Sequence, residues 1–344
     1  MLRRSPVGEF LGTGLPVVDV RSPGEHAQGH IPGSTNVPLF DDEERAVVGT
    51  LYKRSGRDAA VLEGLRIVGP KLAGFVEAIS ALAPDRRVAV HCWRGGERSG
   101  SVAWLLGKAG FAEVHTLIGG YKAFRNHVLD ALRDAPDMRV LGGCTGSGKT
   151  ETLRHLRELG EQVIDLEALA NHKGSTFGML GEAPQPTQEH FENLLWAAIR
   201  SVDRTRPIWL EDESRKIGRL LLPEPLYNAM RSSHLFYSDM PRNERVQRLV
   251  SDYGGHATGD LAEALRRISR RIGPQHAKSA LEALAEGRLE TVVQITLDYY
   301  DRTYAHGLSQ RDPATVVRFH ACTSDLRDLA QRLKDHGTTS SPAL

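Results

Sequence analysis

Gly143-Cys144-Thr145-Gly146-Ser147-Gly148-Lys149-Thr150 fills the pattern G-x-x-x-x-G-K-[ST] at every position. The run 139–141 before it predicts a strand, and 149–159 after it predicts a helix stopped by Gly160. Strand, glycine-rich turn and helix N-terminus together make a phosphate cradle. The glycines let the backbone wrap an anion, Lys149 neutralises it, and the Thr150 hydroxyl reaches a metal ion. Gly143, Thr145, Gly146, Ser147, Gly148, Lys149 and Thr150 are therefore the expected diphosphate contacts, with Cys144 supplying backbone rather than thiol chemistry.

The same rhythm extends in both directions. Downstream, 162–165 and 208–211 predict short strands. Between them lies an amphipathic helix with Phe191, Leu194, Leu195, Ala198, Ile199 and Val202 at helical spacing and Thr187 as N-cap. After Pro241 the pattern is almost wholly helical. Upstream, 15–20, 87–91 and 114–118 predict strands, 99–108 predicts a helix, and Gly119-Gly120 opens another with Tyr121, Phe124, Val128 and Leu132 on one face. Strands separated by helices imply parallel sheets covered by helices. Asp, Ala and Pro interrupt the pattern at 133–137, so two α/β domains are expected, 1–134 and 135–344. The Thr- and Ser-rich tail 338–344 reads as a frayed end.

His91-Cys92-Trp93-Arg94-Gly95-Gly96-Glu97-Arg98-Ser99 carries a second chemistry. A strand delivers Cys92 to a turn that closes into a helix. Backbone N–H groups converge there, the helix N-terminus adds partial positive charge, and Arg94 and Arg98 are expected to add more. Such surroundings favour a thiolate and hold an anion beside it.

Composition bounds the setting. The chain has 344 residues, 40% hydrophobic and 25% charged, with a net charge of +1. Any nucleic-acid surface must therefore be local. Between Arg231 and Gln275 there are eight arginines, no lysine and five acids. Arg242, Arg245 and Arg248 recur every third residue, and Arg266, Arg267, Arg270 and Arg271 cluster; nucleic-acid phosphate contact, a solvated face and a lid over the diphosphate all fit. No apolar run approaches a membrane span, the first residues lack the apolar stretch of a secretion signal, and three scattered cysteines suggest a reducing cytoplasm. Glu211 and Asp212, after the apolar run 208–210, and Asp165 are candidates for holding Mg²⁺; capping or solvation are the alternatives.

The segment from Asp19 to Ser34, reading DVRSPGEHAQGHIPGS, resembles the opening signature of rhodanese domains, and Leu117-Ile118-Gly119-Gly120-Tyr121 their closing motif. That resemblance makes Cys92 a chalcogen acceptor and His30 and His91 framing residues. With the phosphate loop, the segments 42–53, 165–175 and 211–215 resemble tRNA 2-selenouridine synthases. The fold this implies is α/β: a rhodanese-like parallel sheet domain followed by a P-loop α/β domain with a helical C-terminal extension. The activity implied is conversion of wobble 2-thiouridine in tRNA to 2-selenouridine. Geranyl diphosphate first alkylates the sulfur, and selenium from selenophosphate then displaces the geranylthio group. The resemblance also implies a selenophosphate-supplying enzyme as partner and a substrate contact at His172. Phe177, Met179 and Leu180 suit either a prenyl pocket or core packing.

One departure keeps other chemistry open. His-Cys-x5-Arg-Ser has one residue more than sulfur-transferring rhodaneses and is also the signature of cysteine phosphatases. A phosphatase needs a general acid, for which Asp41 and Asp85 are the accessible candidates. An ATP-dependent sulfur carrier is the third reading.

Overall fold

The computed structural model describes residues 1–339, so residues 340–344 of the tail expected to fray lie outside the described residues. The chain divides into two compact units, Met1–Ala131 with Glu192–Trp196, and Leu132–Phe191 with Ala197–Leu344.

The first unit runs β1 (Leu2–Ser5), α1 (Val7–Gly12), β2 (Val17–Asp19), α2 (Pro23–Gln28), β3 (Thr35–Asn36), α3 (Asp42–Ser55), α4 (Arg57–Val68), α5 (Leu72–Leu82), β4 (Arg87–His91), α6 (Glu97–Lys108), β5 (Glu113–Leu117) and α7 (Gly120–Ala131). Its strands form one parallel sheet in the order β1-β5-β4-β2-β3. Val88, Ala89 and Val90 of β4 are fully buried, the apolar run expected of a strand covered on both faces. β1 has no such run. Leu2, Arg3 and Arg4 are exposed, and the strand is held at the edge by pairing Leu2–Ser5 against Val114–Leu117.

The second unit contains β6 (Met138–Gly142), α8 (Lys149–Glu158), β7 (Gln162–Val163), α9 (Leu166–Ala170), α10 (Gln188–Arg200) apart from its Glu192–Trp196 segment, β8 (Ile208–Glu211), the hairpin β9 (Lys216–Ile217) and β10 (Leu220–Leu221), and α11 (Glu224–Ser232). It continues through β11 (His234–Asp239), α12 (Arg242–Tyr253), α13 (Thr258–Ile272), α14 (Pro274–Ala285), α15 (Leu289–Ser309), β12 (Val316–His320) and α16 (Leu326–Thr339). Its five-stranded sheet, order β12-β11-β6-β8-β7, is also parallel. Thr187 caps α10 as expected, accepting from the His190 N–H at 3.0 Å. The almost wholly helical reading after Pro241 holds, with one strand as the exception. β12 returns from α15 to the sheet edge, pairing Val316–His320 with Leu235–Asp239. Between these strands α13, α14 and α15 pack a core of their own around Leu261, Leu265, Ile268 and Val292.

Parallel strands place ligands outside their carboxyl ends. Cys92 follows β4, Gly119-Gly120 follow β5, the phosphate loop follows β6, and Glu213 stands just beyond β8.

Candidate functional site

Cys92 is 3% exposed, with Sγ 3.2 Å from the Ser99 hydroxyl in the first turn of α6. The loop around it is fixed by backbone packed on backbone. The Tyr121 and Lys122 N–H groups donate to the Cys92 and Trp93 carbonyls at 2.8 and 3.0 Å. A Cβ on Gly120 would lie 2.4 Å from the Cys92 carbonyl oxygen, and one on Gly95 would lie 2.3 Å from that of Leu117. Both glycines have positive φ, +60° and +65°. Gly120 of the closing motif is therefore required because no side chain fits between it and the cysteine loop, whereas a Cβ on Gly119 would meet Ala123 at 2.7 Å.

The two loop arginines differ. Arg94 is exposed. Arg98 is bound by Glu25, with N–O distances of 2.6 and 3.2 Å. Burial pushes the Glu25 carboxyl up, but Arg98 outweighs it and holds the group below its ordinary value. Part of the positive charge expected from Arg98 is thus already balanced. Beneath the loop, Asp19 and Arg21 form a fully buried pair at 2.6 Å, and the Arg21 guanidinium lies 3.8 Å from the centre of the Tyr121 ring. His91 is fully buried, and burial drives it down to about 4, so the ring is neutral at physiological pH. That suits a framing residue. Asp41 is the N-cap of α3, and Asp85 sits in the exposed turn before β4, at the opposite end of that strand from Cys92. Asp85 is thus not placed as a leaving-group acid, and the Asp41 carboxylate is engaged by the Glu44 N–H at 2.8 Å.

In the second unit the phosphate loop is equally constrained. Gly148, at φ +75°, precedes Lys149, the first residue of α8. Gly146, at φ +82°, abuts Arg245 and Leu249 of α12. Lys149 Nζ donates to the Gly143 carbonyl at 3.0 Å and lies 5.3 Å from the Tyr304 ring. The Ser147 hydroxyl is buried with no partner among the described residues.

Acids gather beside Thr150. Its hydroxyl donates to Glu167 Oε2 at 3.2 Å, and burial raises the Glu167 carboxyl although Lys149 and Thr150 oppose it. Glu213 is pushed up to about 8 by burial and by Glu167. Glu211 is raised well above its ordinary value, again by burial and then by neighbouring carboxylates. One Glu211 oxygen accepts from the Glu167 N–H at 2.7 Å, and the other has no partner among the described residues. Gly174 closes the cluster, since a Cβ there would lie 2.6 Å from Oε1 of both Glu167 and Glu213. Sequence reasoning singled out neither Glu167 nor Glu213, although both lie inside the segments that carried the family resemblance. No local signal marks Glu213, because β8 ends at Glu211 and the chain turns there, the Glu213 N–H donating to the Glu211 carbonyl at 2.9 Å.

The other acidic candidates have structural partners. Asp165 caps α9, accepting from the Ala168 N–H at 2.8 Å. Asp212 is held by Arg311 at 2.7 Å and by Arg231 at 3.5 Å. His172 is 8% exposed, and burial lowers its pKa. Among the described residues no group of three His, Cys, Asp or Glu is arranged to hold a metal ion.

Residues 136–336 match the family described as the tRNA 2-selenouridine synthase AAA domain, and residues 7–127 match the rhodanese-like domain. Proteins named tRNA 2-selenouridine synthase are similar over nearly the whole chain. The one from Shewanella denitrificans is 33% identical over 94% of this chain and 98% of its own length. That from Marinobacter nauticus is 36% identical over 88% and 91%. That from Bordetella petrii is 36% identical over 93% of each.

The chain belongs to the tRNA 2-selenouridine synthase family.

It is thus an enzyme of that family, and its arginines can be placed. Arg245 is 6% exposed and forms a two-pronged pair with Asp301 at 2.8 and 2.9 Å, also reaching the Thr145 carbonyl at 3.3 Å. Arg248 pairs with Glu151 at 2.8 Å, and Arg242 with Asp298. These three brace the synthase's phosphate loop and α15. Arg266, Arg270 and Arg271 are exposed along α13. Phe177 is buried against Tyr253 with ring centres 5.1 Å apart, so it serves the helical core. Met179 is 43% exposed. A cleft of about 830 Å³ between α12 and α15, lined by Arg242, Val246, Val250, Glu290 and Ile295, contains no residue of the phosphate loop. No helix among the described residues is long and apolar enough to cross a membrane.

Proposed function

We propose that this chain is a cytoplasmic tRNA-modifying transferase that converts wobble 2-thiouridine to 2-selenouridine through an S-geranyl intermediate, its rhodanese domain spanning 1–134 and its P-loop domain 135–344. One observation carries the reading: a single chain holds two backbone-locked anion loops, one presenting the sulfur of Cys92 and the other the ammonium of Lys149. Similarity to the synthases over nearly full length supports pairing the loops in one activity.

In the first step the C2 sulfur of the nucleotide bonds to C1 of geranyl diphosphate as the C1–O bond breaks. Lys149 and the amides of Thr145–Thr150 take up the charge of the departing pyrophosphate. Mg²⁺ usually binds through one or two carboxylates plus substrate phosphates. Thr150 and Glu167, 3.2 Å apart, offer that donor set. When bound, the ion would share the pyrophosphate charge. The protonated Glu213 lowers the negative charge that the cluster would otherwise turn towards the diphosphate.

In the second step selenium bonds to C2 as the C2–S bond breaks and geranyl thiolate leaves; the P–Se bond of selenophosphate opens to water and releases phosphate. The Cys92 loop, with Arg94 exposed beside it and Arg98 behind, seats selenophosphate, whose selenium stays at the selenide level as it passes from phosphorus to C2. The mass of the Cys92 peptide should stay unchanged after incubation with selenophosphate; a gain of one selenium atom would contradict this. The exposed Arg266 and Arg270 offer phosphate contacts to the tRNA. Mass spectrometry of the wobble nucleoside, after incubating purified protein with 2-thiouridine tRNA and both donors, tests the activity. Unchanged 2-thiouridine would refute it.

A further inference from the structure

The first unit carries a basic turn that neither step uses. α3 and α4 form a helical hairpin whose turn reads Tyr52-Lys53-Arg54-Ser55-Gly56-Arg57, three cations followed by Asp58, which lies 3.6 Å from Arg57. All six residues are exposed, and Tyr52 shows 60% of its surface. The neighbouring cations are taken: Arg45 by Glu25, Arg66 by Glu63 and Lys71 by Glu44. Lys53 and Arg54 have no ion pair among the described residues. Arg57 reaches out of the hairpin, 2.8 Å from Glu97 Oε1. Glu97 is the first residue of α6 and closes the Cys92 loop.

Cations in the last turn of α3 complement its dipole, which accounts for Lys53 and Arg54. It does not account for a large aromatic left exposed beside them, nor for the tie to the cysteine loop. We propose that this turn is an RNA-contact surface. Lys53 and Arg54 take backbone phosphates, Tyr52 stacks an unpaired base, and Arg57–Glu97 sets both beside Cys92. Two unpaired cations beside an exposed aromatic fit single-stranded RNA, a polyanion with open base faces, better than they fit a protein. This inference rests on the tRNA reading above.

Anisotropy titration of the full-length protein with labelled 2-thiouridine tRNA, at several salt concentrations, tests it. Absence of any wild-type binding would remove the tRNA reading itself. Given wild-type binding, Lys53→Ala/Arg54→Ala should weaken it on the order of tenfold and lower the salt slope by about 2. Tyr52→Ala should weaken it about fivefold or more, with Tyr52→Phe restoring it. Lys108→Ala, at the far end of α6, is the charge control and should bind as wild type. Thermal melts verify folding, with Lys53→Gln/Arg54→Gln as the second pair. Wild-type affinity and slope in both double variants would overturn the proposal. So would selenium transfer that fell while tRNA affinity held, because the turn would then serve a protein donor.

Discussion

At Gly120 an added Cβ would lie 2.4 Å from the Cys92 carbonyl oxygen, at a φ that side chains rarely adopt. Gly120→Ala should therefore destabilise the chain by roughly 1–3 kcal/mol and disturb the cysteine loop. Thermal unfolding and the alkylation rate of Cys92 measure this; values matching wild type in both would contradict it. Glu213 provides a second residue-scale test. Its folded value of about 8 lies above the ordinary 4.5. The unfolded chain thus loses this proton first, and the stability that Glu213 contributes below about pH 4.5 is lost as pH rises towards 8. Glu213→Gln keeps a donor for Glu167 without the proton. It should come closest to wild type near pH 5 and melt higher than wild type near pH 8. A gap that is constant with pH would show that Glu213 ionises normally.

At the scale of elements, the arginines of α12 are engaged within the protein. Arg245 and Arg248 face the phosphate loop and α8, bound to Asp301 and Glu151. Arg245→Met should cost on the order of 3–5 kcal/mol by leaving Asp301 without its buried partner and should weaken geranyl diphosphate binding. It should leave the salt slope of tRNA binding unchanged, whereas Arg270→Ala should lower that slope by about 1. Equal slopes for the two variants would refute the division of labour. Elements with strong local signals were legible: the strand at Arg87–His91, the strand at Ile208–Glu211 and the Thr187-capped α10. β11, β12 and β1 were not. β11 and β12 are runs of five or six residues that local pattern cannot tell from a helical turn. β1 exposes three of its four residues and takes its conformation from β5. At the site, the loops themselves were legible because glycine, cysteine and lysine announce them locally. The Glu167–Glu213 pair and the Arg245–Asp301 brace were not, because each joins residues far apart in the chain and only folding makes them neighbours.

At the scale of the whole molecule, one chain supplies a lysine cradle for pyrophosphate and a thiol cradle for a chalcogen donor. If the two loops perform successive steps, disabling one must leave the other's chemistry intact. The measurement is mass spectrometry of the wobble nucleoside after reaction of Cys92→Ala and Lys149→Ala with two tRNAs, one carrying 2-thiouridine and one already S-geranylated. Cys92→Ala should geranylate the first tRNA and stop there. Lys149→Ala should leave the first untouched yet convert the second to 2-selenouridine. If both variants fail on both tRNAs, or if Lys149→Ala selenates 2-thiouridine directly, the two-loop account is wrong.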